Sequence, residues 1–352
     1  MKSSSITSLF IFIILFTSCQ KHDKYENTAL FFFNDFKITT KLNATTVEFD
    51  EPIMFPHLFL KSDSLFIIQN LRTNNLLYVY NLNSRKKVKE FISFGNGPND
   101  LLGIKGMQLI DSFLYISDTQ KRTISKYNIN DFHLLTDNLI PIQKVTINDY
   151  FSNLAYTDNG YVGTTQNFEN KRLVFFNSKG EKEFSTGEYP YFGKEYTIIE
   201  KIEGFTSMIT ISKKHRRIYL FGLATDLIEM YDFQGTLIKR LHGPGQIFPQ
   251  VKEVSRGDGI GISHGGDKYV AAFSSPMIVD EEIYVAYSGN HHPREKHHPP
   301  RNNILVFDMD CNPLRNYELS KPIASFTVDN ETKKIYATIE VPEYHMVVFE
   351  PF

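Results

Sequence analysis

The stretch Phe113-Leu-Tyr-Ile-Ser-Asp118, followed by Ile124-Ser-Lys-Tyr-Asn128, decides the fold. Each half is a short aromatic and β-branched run of the kind that suits a pleated, half-buried surface. Each stops at Asp or Asn, residues that open turns by bonding their own backbone. Together they read as a hairpin. The pair recurs along the chain, with first runs Ser64-Leu-Phe-Ile-Ile-Gln69, Gly160-Tyr-Val-Gly-Thr164, Arg217-Ile-Tyr-Leu-Phe221, Glu282-Ile-Tyr-Val-Ala286 and Lys334-Ile-Tyr-Ala-Thr338. The matching second runs are Leu77-Tyr-Val-Tyr-Asn81, Leu173-Val-Phe-Phe-Asn177, Ile228-Glu-Met-Tyr-Asp232, Ile304-Leu-Val-Phe-Asp308 and, in the last copy, Met346-Val-Val-Phe-Glu350. With Phe66, Tyr115, Tyr161, Tyr219, Tyr284 and Tyr336 as markers, the copies lie 46 to 65 residues apart. That is near the roughly 40 to 50 residues of a propeller repeat.

Six such modules around a common axis make an all-β protein, a single six-bladed β-propeller expected over residues 37–352. The sixth copy runs to the end of the chain without an outer strand, and an open sheet edge is an association hazard. The alternation in Lys37-Ile-Thr-Thr-Lys-Leu42 and Thr45-Thr-Val-Glu-Phe49 offers one or two N-terminal strands, predicted to pair with the last blade and close the ring. No long stretch carries the 3.6-residue period with caps, so helix content should be small. A β-sandwich, or two separate β-domains, is the rival architecture, but it explains less of the chain than six copies of one hairpin pair.

Residues 1–18 read as a secretory signal: Lys2, then the apolar run Leu9 to Phe16, then the small residues Thr17 and Ser18. The apolar run is far short of the about 20 residues a membrane-spanning helix needs. Leu15-Phe-Thr-Ser-Cys19 resembles the lipobox of bacterial lipoproteins, with Phe16 where an aliphatic residue is commonest. The resemblance implies that Cys19 is acylated and becomes the mature N-terminus, holding the protein to a membrane through its lipid. Residues 19–36 are then the lipidated cysteine and a tether. Its first part, Gln20 to Asn27, is polar and charged, with too little apolar content to pack. It is similar to the short charged signal that sends lipoproteins of the Bacteroidetes to the cell exterior. The expected address is therefore the outer membrane, lipid-anchored and surface-exposed, with the inner leaflet of that membrane as the alternative.

Past the signal the chain is long enough to bury a large core. Cys311 is then the one cysteine left for the folded part, so no intramolecular disulfide can form there and stability must come from burial and hydrogen bonding. Its turn-like setting marks it as incidental. The formal net charge is −2, with acidic and basic residues scattered rather than blocked, which leaves no electrostatic footprint for nucleic acid. The chain is expected to be a monomer.

Phe94-Gly-Asn-Gly-Pro-Asn-Asp100 resembles the Gly-x-Gly-Pro-x-Glu/Asp turn found early in the TolB-like six-bladed propeller lipoproteins of the Bacteroidetes. Leu241-His-Gly-Pro-Gly245, Ile283-Tyr-Val-Ala-Tyr-Ser-Gly289 and Ile304 through Leu314 are similar to the same family, in the same order, from about residue 40 to the C-terminus. The resemblance implies a fold and an address, and it carries no established catalytic residues. Gly95, Gly97, Gly243 and Gly245 have a sufficient role in tight inter-blade turns, since a phosphate cradle would want a helix to follow.

Two loops hold residue types that can carry chemistry. Gly289 to Pro300 contains His291, His292, His297 and His298, and neutral imidazoles suit zinc, copper or nickel. Its prolines and charges mark it as a solvated insertion between the two runs of the fifth unit. Any metal held there would be lost as the imidazoles protonate below about 6.5. Gly257 to Asp267 contains Ser263, His264 and two aspartates, but a nucleophile needs a base placed by the fold, and adjacency in sequence does not place one. It reads as an inter-blade loop. The acids Asp280, Glu281 and Glu282 read as turn markers. No catalytic, metal-binding or cofactor-binding residue is assigned. The reading that follows is a noncatalytic binding or scaffold propeller for a glycan, peptide or partner protein. The alternative is a propeller hydrolase or lyase with a metal in its central channel.

Overall fold

The computed structural model describes residues 27–53, 56–62, 64–70, 74–133, 139–257, 259–264, 269–292 and 299–351. Cys19, His297 and His298 lie outside them. Three short strands come first: β1 (Ala29–Leu30), β2 (Ile38–Leu42) and β3 (Ala44–Val47). Blade one is β4 (Pro56–Ser62), β5 (Leu65–Asn70), β6 (Asn75–Asn81) and β7 (Lys86–Ser93). Blade two is β8 (Gly106–Ile110), β9 (Phe113–Asp118), β10 (Thr123–Asn128) and β11 (Gln143–Thr146), and blade three is β12 (Phe151–Tyr156), β13 (Gly160–Thr165), β14 (Leu173–Asn177) and β15 (Lys182–Thr186). Helix α1 (Ile198–Gly204) precedes blade four, which is β16 (Ser207–Ser212), β17 (Arg217–Gly222), β18 (Leu227–Asp232) and β19 (Leu237–His242). A detached hairpin, β20 (Lys252–Arg256) and β21 (Gly259–Ser263), follows. Blade five is β22 (Phe273–Val279), β23 (Glu282–Tyr287), β24 (Arg301–Asp308) and β25 (Pro313–Ile323). Blade six is β26 (Ser325–Val328), β27 (Ile335–Ile339), β28 (His345–Phe349) and the returning β3.

The six modules are blades of one propeller, as the repeat predicts. Each blade begins one strand earlier than the sequence unit, because the first strand of each sheet lines the channel and lacks the aromatic signature. The His-rich loop therefore joins the second and third strands of blade five. The markers fall on the second strand of every blade, but in two registers. Tyr115 pairs with Lys126 one position beyond Leu114, whereas Phe66 takes the place of Leu114 and Ile67 that of Tyr115. A one-residue slip turns a strand side chain to the other face. Tyr115 accordingly packs with Phe151 and Val174 of blade three, while Phe66 packs with Tyr336 of blade six.

Ring closure uses β3 as expected: Thr46 faces Val347 in an antiparallel ladder that completes blade six. The companion strand goes elsewhere. Ile38–Leu42 runs parallel to β25 on the outer edge of blade five, with Thr40 opposite Tyr317. Before it, Ala29 and Leu30 lie parallel to β19 of blade four. The N-terminal segment thus walks the rim from blade four to blade six before entering blade one. Phe31 and Phe36 are buried there against Phe307, with centroids 5.6 and 5.5 Å away. These residues belong to the stretch expected as tether, so propeller contacts reach back to Ala29.

The core consists of the clusters between neighbouring blades. Tyr80, Tyr127, Tyr219 and Tyr231, with eight phenylalanines, are the largest fully buried side chains. Each such side chain stabilises by about 1.5–3 kcal/mol relative to exposure. Turn chemistry fits the sequence: Gly180 and Gly235 take φ of +83° and +79° after Asn177 and Asp232. Helix α1 is capped by Thr197, whose hydroxyl accepts from Glu200 N while Glu200 reaches back to Thr197 N.

Candidate functional site

The first strands of the six blades surround a central cavity of about 1140 Å³, open at the end where those strands finish. Its walls come from all six blades, through Lys61, Gln108, Asn153, Met208, Met277 and Thr327. A second hollow of about 440 Å³ adjoins it between blades six and one, sharing Asn83, Lys334 and Tyr336 and adding Arg85. The mouth therefore has both charge signs, amides and an aromatic rim.

Lys61 of blade one and Asp329 of blade six form an ion pair at this mouth. The Asp329 carboxylate also accepts from Thr332 N at 2.7 Å and Glu331 N at 3.0 Å. Burial opposes its ionisation, but the Lys61 ammonium and the Thr332 bonds outweigh burial and bring the carboxyl down to about 2. The channel walls are tied together at other junctions too. Tyr156 N donates to Gln108 Oε1 at 2.9 Å between blades three and two, and Asn153 Nδ2 donates to Ser207 O at 2.9 Å between blades three and four.

Away from the channel, three side chains span neighbouring blades by one device. Gln69 Nε2 of blade one donates to Ile104 O at 2.7 Å, Arg172 Nη1 of blade three to Phe205 O at 2.7 Å, and Arg301 Nη1 of blade five to Ala324 O at 2.9 Å. Each carbonyl lies just ahead of the next blade's first strand. Arg172 is ion-paired with Glu229, which also accepts from Arg240 Nη2 at 2.7 Å and Tyr231 Oη at 3.0 Å. Full burial works against the Glu229 charge, yet the two guanidiniums hold its carboxyl below the usual range.

The residues singled out in the sequence are not brought together. Ser263 ends β21, opposite Lys252 in the detached hairpin, and His264 is exposed with its ring 6.4 Å from that of Tyr269. His291 bridges Val270, and His292 N donates to Tyr269 O at 3.0 Å. Among the described residues no group of three His, Cys, Asp or Glu side chains is placed to hold a metal ion. Asp280 and Glu281 have positive φ in the β22–β23 turn and reach Lys333 and Lys214 of neighbouring blades, while Glu282 pairs with Arg315. Burial pushes the Cys311 thiol up to about 12.

The glycine motifs have structural explanations. Asp100 Oδ2 accepts from Gly97 N at 2.9 Å, and a Cβ on Gly95 or Gly97 would fall 2.6 Å from that same oxygen. Lys121 Nζ then fastens the turn to blade two through Asp100 O at 2.7 Å. In the second motif, Asp226 takes Gly245 N at 2.6 Å and Ile247 N at 2.7 Å, and the Phe192 ring stacks on His242 at 4.9 Å. The channel residues left no sequence signal, because Lys61 and Asp329 meet only when the ring closes.

Two of the solved structures that share the fold illustrate the likeness. One, from Bacteroides fragilis NCTC 9343 and described as an exported protein, is 12% identical, covers 89% of this chain and 98% of its own, and has a TM-score of 0.55. The other, a member of the DUF4221 family from Bacteroides vulgatus ATCC 8482, is 10% identical, covers 89% and 96%, and also has a TM-score of 0.55. Among curated proteins the sequence has no match. A family model described as "TolB-like 6-blade propeller-like" matches residues 33–331. With its six sheets, its rim closure and that match over most of its length, the chain belongs to the TolB-like six-bladed propeller family.

Proposed function

We propose that the protein is a noncatalytic binding module of the cell envelope, carried on an acylated Cys19 and displayed at the outer-membrane surface, whose channel mouth takes a polar ligand such as a glycan or a peptide segment. The observation that carries this reading is the cavity of about 1140 Å³ walled by all six blades. It is slightly larger than the roughly 300–1,000 Å³ typical of small-molecule sites, room enough for an extended ligand, and its mixed charges and amides offer orienting hydrogen bonds rather than one dominant field. A structural relative described as exported agrees with an envelope address.

The test is binding of the purified protein to glycan and peptide arrays, followed by titration of any hit against Asn83→Ala and Lys334→Ala. A loss of affinity of tenfold or more, with the thermal midpoint unchanged, supports the reading. A hit that binds both variants as well as the parent overturns the mouth as the site, and a stoichiometric metal with turnover of glycans or lactones overturns the noncatalytic role. For the address, Cys19→Ala should leave the membrane fraction. Retention there would end the lipid-anchor proposal.

A further inference from the structure

Arg172 and Arg301 perform the same bridging task between blades, yet their electrostatic surroundings differ. Arg172 is balanced by Glu229 on the next blade. The corresponding third strand of blade six, His-Met-Val-Val-Phe over His345–Phe349, has no acid. Arg301 is 8% exposed, and its bonds go to two carbonyls, Ala324 O at 2.9 Å and Pro299 O at 3.4 Å. Its Nε has no hydrogen-bond partner, and no carboxylate among the described residues pairs with it. Blade one does the same job with Gln69, a neutral donor that needs no counter-charge. A buried unpaired guanidinium is costly, because no counter-charge offsets its lost hydration. The carbonyl bonds alone do not explain an arginine here.

The surroundings are aromatic and basic. Tyr269 is the ionisable side chain whose field reaches Arg301, and it is partly exposed. Beside it lie the ring of His264 at 6.4 Å and that of His292 at 6.3 Å. Ser274 adds an unpartnered hydroxyl. It pairs with Ala286, whose side chain packs between blades five and six, and cross-strand partners share a face. The group stands at the end of blade five opposite the cavity mouth, since β22 begins there.

We propose that Arg301, approached past Tyr269 between His264 and His292, is the floor of an anion-binding site, taking a small inorganic anion or the carboxylate of a larger ligand. Burial brings the guanidinium down to about 10, so it remains charged at neutral pH and retains its need for an anion. The anion does at blade six what Glu229 does at blade four.

The test is thermal unfolding of the purified protein at pH 7 and constant ionic strength, with methanesulfonate replaced by chloride in one series and by acetate in another. A saturable rise of roughly 2–4 °C is expected with the preferred anion, and Arg301→Gln, which copies the blade-one donor, should abolish it. Chloride alone points to an inorganic anion, acetate alone to a ligand carboxylate. No rise in the parent, or the same rise in the variant, overturns the proposal. Should the variant fail to fold, bromide-soaked crystals of the parent decide: an anomalous peak in contact with Arg301 Nε supports the site, and none there rejects it.

Discussion

Lys61 and Asp329 join the first and the last blade of the ring by an ion pair at the mouth of the central cavity. Both side chains are nearly buried, at 12% and 10% exposure, so the pair is screened far less than a surface bridge. Around it Phe66 and Tyr336 pack with centroids 5.0 Å apart, making this junction apolar outside and charged at the channel wall.

The depressed Asp329 carboxyl predicts a defined acid sensitivity. The ionised form is favoured by folding, so its contribution is complete above the unfolded value near 4 and disappears as the pH falls through about 2. Asp329→Asn should lower stability by about 1–2 kcal/mol at pH 7, and the difference from the parent should shrink between pH 4 and pH 2. Urea denaturation across that range checks it. A difference that stays constant would refute the pairing.

Glu229 sits between two buried arginines, so its neutralisation leaves both uncompensated. Glu229→Gln should cost about 3–5 kcal/mol, and the loss should appear in chemical denaturation as a lower midpoint at unchanged slope. A cost under about 1 kcal/mol would mean that Arg172 and Arg240 are satisfied by Phe205 O and Glu188 O alone.

The rim walk predicts two distinct truncation phenotypes. Removing residues through 36 deletes β1 and the buried Phe31 and Phe36, which should cost at least about 3 kcal/mol while leaving the parent's oligomeric state unchanged. Removing residues through 49 also strips β3 from β28 and should give soluble oligomers or aggregates through the bare edge. Light scattering with thermal unfolding separates the two, and a monomer from the longer deletion would contradict the closure.

Cys311 should be inert in the native protein. It is 1% exposed and its thiol is held up near 12 by burial, so almost no thiolate exists at neutral pH. A thiol reagent should react fully in denaturant and negligibly without it. Rapid labelling of the native protein would show that this turn opens.

The repeat count was legible because second and third strands carry it. Tyr115 and Tyr219 sit in inter-blade clusters where bulk and β-propensity are both required, so the pattern recurs from blade to blade. The channel strands were not legible. Gly106-Met-Gln-Leu-Ile110 borders the central cavity, and nothing obliges it to be aromatic or regularly alternating. The strand character of Ile38–Leu42 was visible but its partner was not, because alternation reports a half-buried strand and says nothing about which edge receives it. The site was least legible of all: Lys61, Gln108 and Asp329 become neighbours of one cavity through topology alone.

A ring whose closing ladder joins β3, near the start of the sequence, to β28, near its finish, has a particular history during synthesis. Thr45 and Thr46 emerge near the start and Val347 and Val348 near the finish, and that ladder cannot form until synthesis is almost complete. Such distant pairing slows folding, since the large loop must close before the contact stabilises anything. The polypeptide consequently stays an open arc with an unpaired strand edge until its last residues are made, and needs protection from association until the circle closes.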